Sequence, residues 1–197
     1  MTARQKRGAH RPVALCGAVT AVLLLAGCGG GDDDAKPSEA PPVASASASA
    51  PATSTTDPDA ADKAAVLAAY TSMWGEQMQA YRKADAKGTD LKKYAALNAL
   101  SKFEADLAHM KKNSTVIRGD LGHSPKVTAL DTAGKLPKAT VQDCVDLAKW
   151  ETLDTKTDKP IPLPTSQPLR YVATASAEKW PGGWMITDYT PDGARTC

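Results

Sequence analysis

The sequence predicts an α+β domain over residues 60–197, in which three helices pack on one face of an antiparallel sheet. Helical periodicity extends from Asp59 to Ser114, and alternating, strand-like segments follow it. The four Trp, five Tyr and one Phe all lie between Tyr70 and Tyr189, so the hydrophobic core is expected there. Helices followed by a run of antiparallel strands are typical of the α+β class.

Residues 1–27 have the features of an export signal. Positively charged side chains at positions 4–11 precede an apolar stretch, Val13–Ala26, which is shorter than the roughly 20 apolar residues of a spanning helix. The stretch ends in Leu25-Ala26-Gly27-Cys28, which resembles the bacterial lipobox. This resemblance implies cleavage before Cys28 and lipid attachment to its sulfur. An ordinary signal peptide with a chance cysteine is the alternative.

Residues 28–59 predict a lipidated Cys28 followed by a disordered tether. Gly and Asp fill positions 29–34, and Ala, Ser, Pro and Thr dominate the remainder. These side chains bury too little apolar surface to offset the entropy of ordering the chain. Two acyl chains on Cys28 would anchor the protein stably in a membrane. The expected location is the extracytoplasmic face of the cell membrane.

The helical region divides into one long helix and a shorter pair. Apolar side chains recur every three or four residues from Val66 to Tyr81, which predicts a helix over Ala64–Ala86 that stops near Gly88. Asp90 is the expected N-cap of a helical pair that covers 90–113.

The remaining sequence predicts five strands separated by turn-forming residues. These are Thr115–Arg118, Lys126–Leu130, Lys138–Val145, Leu169–Lys179 and Trp184–Thr190. In the last strand, Trp184, Ile186 and Asp188 are expected on one face and Met185, Thr187 and Tyr189 on the other. The proline-rich segment 152–168 is interpreted as a connection, with a lid or a partner-docking edge as alternatives.

The helix Ala64–Ala86, the pair 90–113, the strand Val141–Asp146 and the hairpin Arg170–Lys179/Trp184–Tyr189 together resemble a known fold. It is the nuclear-transport-factor-2-like (SnoaL/ketosteroid-isomerase-like) fold, as found in small secreted or lipid-anchored actinobacterial proteins. The resemblance covers about 60–197 and implies a cone formed by a strongly curved antiparallel sheet. That fold hosts both enzymes and non-catalytic binding modules, so it does not define one function.

Two cysteines are expected to form a disulfide. Cys16 leaves with the signal and Cys28 is lipidated, which leaves Cys144 and Cys197 in an oxidising compartment. Their bridge would fasten the C-terminus to the sheet. The alternative is two free thiols, with Cys144 a small buried hydrophobic residue.

Charge and motifs exclude several classes of protein. A net charge of +2 argues against a strongly basic nucleic-acid binder. The sequence has no His-Glu-x-x-His motif, Cys-x-x-Cys pair or glycine-rich phosphate loop, so neither a metal nor a cofactor is predicted. His109 is expected to face solvent, and His123 is interpreted as a loop residue rather than a ligand or base.

Carboxylates remain as candidate functional groups. Asp143, Asp146 and Asp188 lie on predicted strands, and strand alternation places Asp143 and Asp146 on opposite faces. We interpret them as surface or hairpin-edge acids, with a buried catalytic Asp as the alternative. The candidate pocket-lining residues are Tyr70, Trp74, Asp143 and Trp184, although aromatic stripes of this kind also form ordinary cores.

The sequence therefore predicts a non-catalytic, lipid-anchored module of the cell surface. It would bind a small apolar ligand or an envelope partner through its cone. The alternative is an isomerase- or cyclase-type enzyme that uses a buried Asp.

Overall fold

The computed structural model describes residues 57–197. Helices α1 (Ala60–Tyr81), α2 (Leu91–Tyr94) and α3 (Leu97–Asn113) precede the strands. The strands are β1 (Thr115–Gly119), β2 (Lys126–Asp131), β3 (Lys138–Asp146), β4 (Trp150–Asp154), β5 (Lys159–Ile161), β6 (Arg170–Trp180) and β7 (Gly183–Asp192). This content confirms the α+β prediction. The predicted signal peptide, Cys28 and nearly all of the predicted tether lie outside the described residues.

The described strands form two antiparallel sheets. One has the order β2-β3-β6-β7 and the other has the order β1-β4-β5. Helices α1 and α3 pack against β7, and one continuous hydrophobic core extends through both helices and both sheets. Within residues 57–197, no helix is both long enough and apolar enough to cross a bilayer.

Strand β3 alternates regularly between a buried and a half-buried face. Ala139, Val141, Asp143 and Val145 are buried, and the residues between them are half-buried. Because successive side chains of a strand point to opposite faces, Asp143 occupies an interior position that is otherwise apolar. Asp146 lies on the other face, as the alternation predicts.

A β-bulge in the β6–β7 hairpin changes which side chains of β7 face the core. Ser176 pairs with Asp188 but Ala177 pairs with Ile186, so Thr187 is an extra residue. The bulge reverses the alternation after Ile186. Tyr189 is therefore buried, and Asp188 points toward α3, where its Oδ1 lies 2.7 Å from the Lys102 ammonium. The predicted grouping of Asp188 with Trp184 and Ile186 is wrong for this reason.

Helix α1 is shifted relative to the predicted range. It begins at Ala60 and ends at Tyr81, five residues before the predicted end at Ala86. Ala84 adopts a positive φ of 49°, so the chain turns instead of continuing the helix. Asp90 precedes α2 as predicted, but its carboxylate binds the Lys93 ammonium rather than a backbone N–H.

The proline-rich segment 152–168 contains strand structure that the sequence did not indicate. Strand β5 pairs only with β4, so it forms the edge of its sheet. Pro160 lacks an N–H group, and an edge strand tolerates this because one side has no neighbouring strand. The interpretation of 152–168 as a plain connection is therefore wrong for its first half.

A disulfide joins Cys144 of β3 to Cys197, which confirms the predicted pairing. The two Cα atoms are 5.9 Å apart. The adjoining tail also bonds to β6, since the Val172 N–H donates to the Arg195 carbonyl oxygen at 2.8 Å. The C-terminus is thus fastened to the sheet by one covalent bond and by backbone hydrogen bonding.

Replacing both cysteines, Cys144→Ser with Cys197→Ser, should lower the free energy of unfolding by about 4 kcal/mol. The bridge spans 53 residues, and cross-linking a loop of that length reduces the entropy of the unfolded chain by about this amount. Urea unfolding of the oxidised wild type, the reduced wild type and the variant measures it. The reduced wild type should match the variant, and equal stability of all three proteins would contradict the prediction.

Candidate functional site

Asp143 is the one acidic residue that is fully buried within the described part of the chain. Its Oδ2 accepts hydrogen bonds from the Tyr70 hydroxyl at 2.9 Å and from His123 Nδ1 at 2.5 Å. Its Oδ1 accepts one from the Ser124 N–H at 2.7 Å. We call Tyr70, His123, Ser124 and Asp143 the Asp143 cluster. Both carboxylate oxygens are engaged, as burial of a charged group requires.

The segment 120–125, between β1 and β2, supplies two members of this cluster. It is also bound to β3 through Gly122, whose N–H and carbonyl oxygen each pair with the backbone of Asp146 at 2.9 Å. A Cβ atom at position 122 would come within 2.9 Å of the Asp146 Cβ. Glycine therefore permits the close approach of backbones that brings His123 to Asp143.

The ring of His123 has one nitrogen bonded and one nitrogen without a partner. Nδ1 faces Asp143, while Nε2 is buried and has no hydrogen-bond partner among the described residues. Since a carboxylate is an acceptor, we assign a proton to Nδ1, which donates it to Asp143. His123 is therefore oriented by Asp143.

Trp74 is the centre of an aromatic group next to the Asp143 cluster. The centroid of its ring lies 5.1 Å from the rings of both His123 and Tyr189, and 5.6 Å from that of Phe103. The contacts with Tyr189 and Phe103 are edge-to-face, the arrangement that aromatic pairs favour. The indole Nε1 and the Tyr189 hydroxyl are both buried and have no hydrogen-bond partner within residues 57–197.

One side of this group opens into a cleft of about 400 Å³, which we call the aromatic cleft. Its wall contains the aromatic side chains Trp74, Tyr81, Phe103, Trp150, Tyr171 and Tyr189, and Leu163 from the proline-rich segment. Lys102, Asp106 and Gln167 contribute polar groups. A mainly apolar cleft with a few polar groups is the usual form of a small-molecule site.

A second cleft, of about 490 Å³, lies on the other side of Trp74 and is lined by Tyr70, Arg82 and His123. We call it the histidine cleft. Trp74 and Leu121 line both clefts. Asp143 fixes the segment that carries Leu121 and His123. It therefore maintains the wall between the aromatic cleft and the histidine cleft.

A third groove, of about 620 Å³, is larger than either cleft and lies apart from the Asp143 cluster. It runs between the start of α3 and the four-stranded sheet, and its sheet residues are mainly small, such as Ala139, Thr140 and Ala177. It contains none of the aromatic side chains. Size alone therefore does not identify it as the site.

Burial raises the pKa of the tyrosines that line the two clefts. For Tyr70 the Asp143 carboxylate raises the pKa further, and for Tyr81 the Asp106 carboxylate does so. The pKa of Tyr189 is raised mainly by burial and then by the neighbouring Tyr171 and Tyr70. These phenols are therefore neutral at physiological pH, and those of Tyr70 and Tyr81 donate hydrogen bonds to Asp143 and Asp106.

The four predicted pocket residues do not all lie at one site. Trp74 lines both clefts, Tyr70 lines the histidine cleft, and Asp143 lies behind the wall as a structural acceptor. Trp184 packs near α1, where its indole Nε1 donates to the Asp62 carboxylate at 3.4 Å. Three of the predicted residues, Tyr70, Trp74 and Asp143, therefore lie close together, and Trp184 lies apart from them.

Asp146 and Asp188 are partly exposed, as expected for surface or hairpin-edge acids, whereas Asp143 is buried and that interpretation is wrong for it. Asp188 forms an ion pair with Lys102, and that hydrogen bond lowers the pKa of Asp188. On the outer face of β3, Asp146 Oδ2 lies 3.7 Å from Arg170 Nε. His109 is exposed, as predicted. Residues 57–197 contain no group of three or more acidic, His or Cys side chains arranged to hold a metal ion.

The aromatic cleft also contains Phe103, Trp150, Tyr171 and Tyr189, which were not singled out from the sequence, and the histidine cleft contains His123, which was interpreted as a loop residue. The alternation of β6 would have placed Tyr171 with Ala173 and Ala175 on the inner face. Nothing local to His123 indicates its contact with Asp143, because twenty residues separate them.

Comparisons with known proteins provide little further information. No protein-family model matches the chain, and no curated protein sequence matches it. Among solved structures, it is similar to the intermembrane space region of the chloroplast protein ARC6, with 13% identity. The match covers 67% of this chain and 97% of that chain, with a TM-score of 0.45. A likeness of this size assigns neither a family nor a function.

Replacing the buried carboxylate, Asp143→Ala, should lower the free energy of unfolding by about 3–5 kcal/mol. The substitution leaves three donors without an acceptor, and each unsatisfied buried group costs about 1–3 kcal/mol. Asp146→Ala on the outer face of β3 is the matched control and should cost about 1 kcal/mol or less. Urea unfolding measures both, and similar losses would show that the Asp143 cluster does not stabilise the fold.

Proposed function

We propose that this protein is a lipid-anchored module on the extracytoplasmic face of the cell membrane that binds a small, mainly apolar ligand in the aromatic cleft. The aromatic cleft is the observation that carries the binding role. Its volume of about 400 Å³ lies in the range of small-molecule sites, and its aromatic lining would gain free energy by removing apolar ligand surface from water. Binding of an envelope partner at the same cleft is the alternative form of this role.

The anchoring part of the proposal rests on the sequence. The basic segment, the apolar stretch and the Leu25–Cys28 lipobox resemblance support lipid attachment at Cys28. The disulfide between Cys144 and Cys197 is compatible with an oxidising compartment.

We also propose that residues 60–197 belong to the nuclear-transport-factor-2-like cones. The order of one long helix, two shorter helices and antiparallel strands supports this proposal. Clefts formed between the helices and the inner face of the sheet are compatible with it. The fold itself does not specify whether the protein is catalytic.

The bonding of Asp143 supports a binding role over catalysis. Its two oxygens already accept three hydrogen bonds, and it is not among the residues that line the aromatic cleft. An isomerase- or cyclase-type enzyme is the second candidate, because Asp143 orients a histidine whose Nε2 has no partner in the described part of the chain. In that case His123 would be the group that receives the proton, with Asp143 behind it.

The neutral fluorescent probe N-phenyl-1-naphthylamine should bind the purified full chain saturably, with a stoichiometry of about one. The assay uses the Cys28→Ala form, so that no acyl group competes for the probe. Leu163→Asp places a charge in the apolar wall and should weaken binding at least about tenfold. Fluorescence titration measures the dissociation constants.

The matched control is Leu169→Asp, which introduces the same charge nearby in the chain. Leu169 is 55% exposed and does not line the aromatic cleft, so this variant should bind the probe as the wild type does. Absence of saturable binding, or equal weakening by both substitutions, would refute ligand binding in the aromatic cleft.

The anchor is tested by Cys28→Ala in cells. Without the acceptor sulfur, the protein should leave the membrane fraction and should no longer incorporate labelled palmitate, because stable anchoring needs the acyl chains. Cys16→Ala, within the predicted signal, should change neither property. Continued labelling of the Cys28→Ala protein would show that the lipobox assignment is wrong.

A further inference from the structure

The charges around the aromatic cleft are unbalanced toward the negative side. Lys102 and Asp106 are the charged residues in its wall. The Lys102 ammonium is already neutralised, since it donates to Asp188 Oδ1 at 2.7 Å and to the Tyr189 carbonyl oxygen at 2.8 Å. Asp106 accepts a hydrogen bond from the Tyr81 hydroxyl at 2.8 Å but forms no ion pair with any residue of 57–197.

A second carboxylate acts on the cleft from behind its wall. Asp143 contributes to the raised pKa of Tyr171 and Tyr189, which both line the cleft, although burial is the main cause for each. The buried Asp143 carboxylate therefore lies on the interior side of the aromatic wall, where it accepts hydrogen bonds from Tyr70 and His123.

The rest of the wall consists largely of aromatic rings. Six of them line this one cleft, and the face of an aromatic ring carries a partial negative charge that attracts cations. Aromatic rings together with an unpaired carboxylate form the type of site that recognises alkylated ammonium groups.

We propose that the ligand of the aromatic cleft is an organic cation, an alkylated ammonium group on a small apolar body, and that Asp106 selects for its charge. The inference rests on the proposed binding role of the cleft and adds the chemical class of the ligand. Asp106 lies at the edge of the cleft on α3, so the charged end of the ligand would face solvent and Asp106 while its apolar part contacts the rings.

The test compares two probes of nearly the same shape that differ in charge, choline and 3,3-dimethylbutan-1-ol. Saturation-transfer NMR titration of the full Cys28→Ala chain measures the two dissociation constants directly. We expect choline to bind about fivefold more tightly, mainly because the carboxylate of Asp106 attracts its charge and the aromatic rings add a smaller cation–π attraction. Asp106→Asn should reduce this ratio to about twofold or less. The asparagine oxygen can still accept from Tyr81, so only the charge is lost.

Glu104→Gln is the matched control. It removes one negative charge from the same helix, at an exposed position outside the aromatic cleft. Glu104 Oε1 lies 3.4 Å from the Lys92 ammonium there. This substitution should leave the ratio of the two dissociation constants unchanged. Equal or tighter binding of the alcohol to the wild type would overturn the cation assignment while ligand binding itself stands. The same preference in Asp106→Asn would overturn the role of Asp106. Failure of both probes and of the naphthylamine to bind would instead overturn the proposed function.

Discussion

The carboxylate of Asp143 is the interaction on which the arrangement of the two clefts depends. It accepts hydrogen bonds from α1, through Tyr70, and from the segment between β1 and β2, through His123 and Ser124. One buried charge on β3 therefore joins three parts of the chain that are distant in sequence. Because burial of a carboxylate is costly unless its oxygens are satisfied, these donors must all be in place in the folded state.

The aromatic wall depends on this arrangement and on the bulge in β7. Trp74 packs between the ring of His123, which Asp143 orients, and that of Tyr189, which the extra residue Thr187 turns inward. Without the bulge, Asp188 would occupy the inner position and Lys102 would lose its partner. The same irregularity thus provides an aromatic ring to the cleft and neutralises the cation at its edge.

The two faces of β3 hold different parts of the chain in place. The inner face of β3 carries Asp143 and the apolar core positions, whereas the outer face carries Cys144 and its bridge to Cys197. The disulfide fastens the C-terminal tail beside β6, the strand that supplies Tyr171 to the aromatic cleft. A cross-link on the outside therefore supports a strand that shapes the site on the inside.

The sequence by itself determined the α+β class, the three helical segments and most strands, because these follow from periodicity and local turn residues. It also predicted the Cys144–Cys197 pair, on the expectation that the protein is exported and that Cys16 and Cys28 are unavailable. It also placed Asp143 and Asp146 on opposite faces. Tertiary structure decided which face was buried, where α1 ended, that β5 formed an edge, and that Tyr189 replaced Asp188 on the inner face. The meeting of His123 with Asp143, and of Trp74 with Tyr189, likewise required the folded chain. These contacts join residues far apart in sequence, and local patterns carry no information about such distances.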